Sequence, residues 1–326
     1  MSLSIERVTD RDGVLAGIGL WNEHVPAFAV PNWLAEQSLF APFDGVTVRC
    51  YAAREDGRRR AFAVLKRLER AVGDYDPTDR AWLSVLAFDP GTDAGRAAAR
   101  ELLAAIAEDL RADGAAELVF GRDPGNFFAG VPRGVPDAYV DVLDGAGFAF
   151  EGVAHDLERS IAGYSPPERV RETDREWPGL DVVPATGRED ELLAFLDDQF
   201  SGRWRYEAAN VCRVPGGPDD YWLLLFDGEV AGFLRSNRHD GAYRGPNVNW
   251  GYRLSDEHCG VGPLGVHESY RGRGWGLYMI SAVLERLAAD GYDRCVIDWT
   301  DLVGYYGKLG FEEWVRYAGA TLDLTR

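Results

Sequence analysis

Cysteine and histidine are scarce in this 326-residue chain, and neither falls at a spacing that carries chemistry. Cys50, Cys212, Cys259 and Cys295 stand alone. With no CxxC pair among them, they exclude a zinc ribbon and a disulfide framework and read as buried free thiols. His24, His155, His239, His258 and His267 form no HExxH or other paired spacing, so no metal is expected. Long apolar runs are missing too: nothing approaches the roughly 18 uninterrupted apolar residues of a membrane span. The start, MSLSIERVTDRDG, has no basic stretch leading into an apolar one. The expectation is a cytoplasmic protein with no membrane partner.

Positive charge is also in short supply. Lys and Arg number 35 against 53 Asp and Glu, a net charge of −18. The deficit is even, −9 in residues 1–165 and −9 in the remainder. Such a surface repels phosphate backbones at long range, so nucleic acid is not an expected partner, and cationic small molecules are mildly favoured. What the chain does have is core material: 46% of its residues are hydrophobic and 12% aromatic. That is enough to offset the ordering entropy of folding and excludes a disordered chain. The length suggests about two domains.

The segment Tyr164–Pro178 holds three prolines and seven charges without an apolar period, and reads as a linker. Expected domains are residues 1–163 and 179–326. In the second, strands are expected at Leu180–Ala185, Tyr221–Phe226, Glu229–Leu234, Asn247–Leu254, Gly262–Val266 and Arg294–Trp299. Helices are expected at Arg188–Phe200, Trp275–Asp290 and Val303–Leu309, with one or two last strands over Phe311–Leu324. The first half repeats this order. Ala112-Asp113-Gly114 and Ala289-Asp290-Gly291 lie 177 apart, and that offset puts Gly272-Arg273 on Gly95-Arg96. Gly147-Phe148 and Gly310-Phe311 lie 163 apart, so the first copy carries 14 extra residues, around the loop Arg122–Pro136. Two copies of one α+β unit is the economical reading. The loop's aromatics, Phe127 and Phe128, look exposed and suit a lid or a packing contact between the copies.

The strongest chemical signal is Arg271-Gly-Arg-Gly-Trp-Gly276, between a strand and the long helix. Gly272, Gly274 and Gly276 let backbone approach a ligand. A helix start there offers unpaired N–H groups and the positive end of the dipole, while Arg271 and Arg273 add forked donors. The result is an anion cradle suited to a pyrophosphate. A dinucleotide fingerprint needs a third glycine where Leu277 stands, and a P-loop needs Lys-Ser/Thr after the glycines.

This segment resembles the acetyl-CoA signature of the GNAT-family N-acetyltransferases, Gln/Arg-x-x-Gly-x-Gly/Ala, at every defined position. Val303-Gly-Tyr-Tyr-Gly-Lys-Leu-Gly-Phe311 resembles the family's closing motif. The resemblance covers about residues 180–326; the first half resembles the fold only in its order of elements. It implies two tandem GNAT-like domains, each a mixed, mostly antiparallel sheet flanked by helices, with a splayed parallel strand pair. The acetyl-pantetheine arm is then expected between Gly262–Val266 and Arg294–Trp299. Leu264, Gly265 and Val266 are expected to line it, with the Val266 N–H polarising the thioester. Residues 271–276, Trp275 included, would hold the pyrophosphate. Tyr306 aligns with the family's proton donor to the leaving thiolate, with Tyr305 as fallback beside the cofactor. The base is open among Asp298, Glu268, His267 and a water chain.

The first copy lacks this equipment. Ala94, Ala97 and Ala99 stand where Arg271, Gly274 and Gly276 do, and Leu143 stands in the place of Tyr306. The resemblance therefore implies transfer of an acetyl group from acetyl-CoA to an amine of a small molecule by direct attack, carried by the second half alone. The alternative is a non-catalytic acyl-CoA-binding tandem protein that reports to a partner. Arg203-Trp-Arg-Tyr206 falls where acceptor contacts vary. Acceptor identity and oligomeric state stay open.

Overall fold

The computed structural model describes residues 3–125 and 127–326. In chain order the elements are β1 (Leu3–Val8), α1 (Arg11–His24), α2 (Asn32–Ala35), β2 (Val46–Glu55), β3 (Arg58–Leu68), β4 (Arg80–Phe88), α3 (Asp93–Ala112), β5 (Glu117–Phe120), β6 (Val131–Pro132), α4 (Asp137–Gly145) and β7 (Ala149–Ser160). They continue as α5 (Glu168–Glu176), β8 (Leu180–Pro184), α6 (Glu189–Gln199), α7 (Arg203–Cys212), β9 (Tyr221–Phe226), β10 (Glu229–Arg238), β11 (His258–Val266), α8 (Trp275–Ala289), β12 (Arg294–Thr300), α9 (Val303–Tyr306) and β13 (Glu312–Asp323).

Contacts divide the chain into two compact units of mixed α/β architecture. One runs to Ala71 and takes up Asp76–Ala154 and Arg316–Arg326; the other comprises Val72–Tyr75 and His155–Val315. These bounds differ from the expected 1–163 and 179–326. The last stretch of β13 pairs with β5, Thr321 opposite Val119, so it completes the first unit's sheet. The later part of β7 pairs with β12, Ser160 opposite Arg294, and belongs to the second. Cross-strand pairing, which the sequence does not display, decides both assignments.

In the first unit the strand order is β1-β2-β3-β4-β5-β13; in the second it is β7-β12-β11-β10-β9-β8. Each is antiparallel except for one parallel pair, β4–β5 and β11–β12 respectively. The hairpins β2–β3 and β9–β10 turn through Asp56-Gly57 and Asp227-Gly228, with positive φ at all four residues. That is the turn whose twist matches the flanking strands, and Asp-Gly tolerates it best. Its recurrence agrees with the repeat read from the sequence.

The long helices differ at their starts. Thr92 caps α3, its hydroxyl accepting the Gly95 N–H at 3.2 Å. Gly274, in the left-handed region at φ 83°, opens α8 with no side-chain cap. Behind that start Met279, Ile280, Val283, Leu284 and Leu287 bury the helix against the second unit's sheet.

Three expectations need correction. The linker is ordered as α5, with Val170 and Thr173 buried; its inward apolar positions are too few to make a visible period. Asn247–Leu254 is not a strand but two short 3-10 turns, Pro246–Val248 and Gly251–Arg253. Its alternation misleads because Asn247, Val248, Asn249, Trp250 and Gly251 are all buried. Phe127 and Phe128 are buried as well, and Phe128 packs on Trp21, Phe28 and Phe120 in the first unit's core; Asn126 of that loop lies outside the described residues. Beside them Lys66 Nζ, itself buried, donates to Asp123 Oδ2 at 2.6 Å.

Replacing Phe128 with alanine is expected to cost about 3–5 kcal/mol of stability, the range for an emptied aromatic core site. Urea unfolding of the variant against the parent measures it.

Candidate active site

The site begins where two parallel strands part. β11 and β12 pair only at His258–Arg294, Cys259–Cys295 and Gly260–Val296. Beyond Val296, β12 runs on to Thr300 and β11 to Val266 without touching in register. On its other edge β11 stays paired with β10, interrupted by a bulge between Leu234 and Ser236. His267 N–H donates to the Ala231 carbonyl at 2.9 Å. Because amides alternate sides along an antiparallel strand, the Val266 peptide group points the other way, into the gap. The Val266 carbonyl confirms that direction by accepting Arg271 Nε at 3.1 Å.

The gap opens into a cavity of about 740 Å³. Leu264, Gly265 and Val266 line it from β11; Arg271, Gly272, Gly274, Trp275 and Gly276 line it from the loop and first turn of α8. Tyr305, Tyr306, Leu302 and Lys308 close a further side. Two glycines are required by closeness. A Cβ on Gly276 would collide with the Tyr305 hydroxyl, and one on Gly265 with the Phe200 ring. The Trp275 ring is buried against Tyr270, Phe226 and Trp177. It anchors the helix start and leaves the backbone to face the cavity. Unpaired first-turn amides, close glycines and Arg271 together fit a pyrophosphate.

Tyr306 is buried, and desolvation, aided by Tyr305, Asp298 and Asp301, holds its hydroxyl neutral well above the usual phenol range. Burial pushes Tyr305 up to about 12. Asp298 sits on β12 beyond the parting point, half-buried. Desolvation first, then Glu207, raises its carboxyl to about 6, while Arg203 and Arg235 oppose. The backbone turns sharply there: Trp299 has φ 44°, and its N–H donates to Asp156 Oδ1 at 3.0 Å. The β12–β7 ladder is irregular between Ile297 and Thr300. Such irregularities re-aim side chains at functional sites.

Asp298 does not itself line the cavity, and three further expected residues lie elsewhere. Arg273 donates to the Ser269 carbonyl at 3.3 Å and lies over the rings of Trp177, Tyr270 and Trp275; aromatic faces hold it out of the cavity. Glu268 is exposed, its backbone N–H bonded to Gln199 Oε1 at 3.0 Å. His267 caps the same turn, Nδ1 accepting Ser269 N–H at 3.2 Å. Sequence reading missed Phe200 as a wall, the α5 residues Arg169, Val170 and Thr173, and Asp156. Contact across the fold is their only signal.

The first unit carries the counterpart of this strand pair. β5 stays paired with β4 from Glu117 through Phe120, and Gly121 N–H continues the ladder to the Leu83 carbonyl at 2.9 Å. β4 then runs on to Phe88 without a β5 partner, so the parallel pair parts in the first unit as it does in the second. Thr92 caps the Gly95 amide there, while the start of α8 has no side-chain cap.

Residues 188–311 match the acetyltransferase (GNAT) family. The chain carries a GNAT domain. Among solved structures, a GCN5-related glucosamine N-acetyltransferase region of a fungal multi-domain GH3 β-N-acetylglucosaminidase has a TM-score of 0.84 at 18% identity, covering 98% of this chain and 38% of that one. This chain thus spans well under half of that protein. A tandem GNAT protein from the clavulanic acid biosynthesis pathway gives TM-score 0.67 at 15% identity over 99% of both chains. A GCN5-related N-acetyltransferase from Sphaerobacter thermophilus gives 0.60 at 12% identity, covering 99% of this chain and 96% of that one. At these identities the likeness is one of fold. No curated protein matches the sequence. Among the described residues no group of three or more His, Cys, Asp or Glu could hold a metal ion, and no helix is long and apolar enough to cross a membrane.

Asp298 gives the GNAT domain a measurable signature. Its folded pKa of about 6 lies above the ordinary 3.8, so the folded state binds the proton more tightly, and stability falls as pH rises from about 4 to 6. Asp298→Asn removes that fall. The variant is expected to resist urea better than the parent at pH 8, with the gap closing near pH 4.

Proposed function

We propose that the second unit transfers an acetyl group from acetyl-CoA to a small-molecule amine by direct attack. One observation carries the reading: an uncapped helix start with close glycines opens onto the parted strands, with a neutral buried tyrosine on the same cavity. Acetyl-CoA supplies an activated acyl thioester when bound. Amides of residues 271–276 and the Arg271 guanidinium would hold its diphosphate. The inward Val266 N–H would polarise the thioester carbonyl as the oxygen gains charge. Tyr306, protonated throughout the neutral range, would donate its hydroxyl proton to the departing thiolate.

Asp298 would act as base toward the acceptor ammonium. A carboxyl with a pKa of about 6 is mostly ionised at pH 7 yet more basic than an exposed aspartate. Direct attack agrees with a cavity that no cysteine lines. The acceptor class suggested by charge is a cationic amine, and one fold relative is described as a glucosamine N-acetyltransferase region.

The test is thiol release from acetyl-CoA across a broad panel of amines. Turnover with one or more is expected; silence with tight CoA binding would replace the enzyme with an acyl-CoA sensor. In the active case Tyr306→Phe should lower kcat about 10²- to 10⁴-fold, the usual size of a lost general acid, with acetyl-CoA affinity little changed. Asp298→Asn should abolish the acid limb near pH 6 in kcat/KM. Gly274→Glu, which places bulk and negative charge at the cradle, should abolish CoA binding by calorimetry with the circular dichroism spectrum retained.

A further inference from the structure

Helix α5 lies outside the segment that matches the GNAT family, yet it walls the cavity. Contacts at both ends fix it against α8. Before the helix, the Tyr164 hydroxyl and Ser281 Oγ share a hydrogen bond of 2.8 Å. Within it, Val170 enters the core beside Trp275 and Leu277, and Tyr278 Oη donates to Asp174 Oδ1 at 3.2 Å. After it, Trp177 packs edge-on against Trp275 with ring centroids 5.5 Å apart. Thr173 Oγ1 consequently stands 2.9 Å from where a Cβ on Gly274 would sit. The helix covers the open end of the cradle.

Its charges divide between two faces. Glu168 pairs with Arg175 at 2.7 Å and with Arg171 at 3.7 Å. Arg169, one turn before Thr173, lines the cavity, and its side chain makes no hydrogen bond or ion pair among the described residues. Of the other two cations at the cavity, Arg271 is held through Nε by the Val266 carbonyl, which leaves its terminal nitrogens for the diphosphate, and Lys308 lies over the Tyr305 ring. An unpaired guanidinium on a fixed helix beside an anion cradle, in a protein of net charge −18, is a ready phosphate ligand.

A diphosphate at the start of α8 would lie beside Thr173, and Arg169, one turn earlier on the same cavity wall, stands ready for a further phosphate of the same ligand. Coenzyme A carries such a further phosphate, on the ribose 3′ position. We propose that Arg169 binds this 3′-phosphate, so that α5 makes the protein select coenzyme A over its 3′-dephospho form. The inference rests on the CoA reading given above and adds a specificity element that the GNAT core itself does not contain.

Calorimetry on the full chain with coenzyme A and 3′-dephospho-coenzyme A tests it. The parent is expected to bind coenzyme A at least about tenfold more tightly, the effect of one charge-assisted pair, and the preference should shrink as salt rises. Arg169→Ala should lower coenzyme A to the dephospho level while leaving the dephospho form within about twofold; Arg169→Lys should keep part of the preference. Equal affinity of the parent for both ligands, or equal weakening of both by Arg169→Ala, overturns the role of Arg169 and leaves the cradle standing. Failure of the parent to bind either removes the CoA reading and this inference with it.

Discussion

The cavity of the second unit depends on the parting of β11 and β12 after Gly260 and Val296. A sheet normally satisfies both edges of an inner strand. Here the outward peptide groups of β11 are left facing a cavity, and the energetic debt of unpaired N–H groups is concentrated where a ligand can satisfy it. The close approach of Phe200 to Gly265 and of Tyr305 to Gly276 shapes that space. The uncapped start of α8 adds a second set of open amides at one end. Neither set would persist if a side chain could fold back to meet it, and glycine at 272, 274 and 276 offers none.

The first unit shows the same plan with a different helix start. Its parallel pair parts after Leu83 and Phe120, Thr92 caps its long helix, and Phe127 and Phe128 lie in its core. Few changes separate the two outcomes. A capping threonine in place of a left-handed glycine satisfies one amide of the helix start internally. Buried Lys66 and Asp123 pair inside this unit, where a charge needs a partner to be tolerated.

Asp298 illustrates how position alone shifts the acidity of a carboxyl group. On an exposed loop it would be an ordinary carboxylate. At the end of β12 it is aimed by a positive-φ Trp299 whose N–H is held by Asp156, and desolvation lifts its pKa to about 6. Glu268 is the converse case. It is adjacent to the motif in sequence and carries the same group, yet it points to water.

Short-range patterns were legible without coordinates. The glycine-arginine motif, the apolar stripe of α8, the Asp-Gly hairpin turns and the alanines that replace the motif in the first copy are all encoded within a few residues, because local backbone freedom and helix periodicity are local properties. What only the tertiary structure decided is long-range. β13 ends in the first unit's sheet, α5 is a wall rather than a tether, Arg273 is drawn onto aromatic rings, and Asn247–Leu254 is turn rather than strand. Each depends on which surfaces meet across the fold, and contact energies between distant residues leave no periodic trace in the chain that carries them.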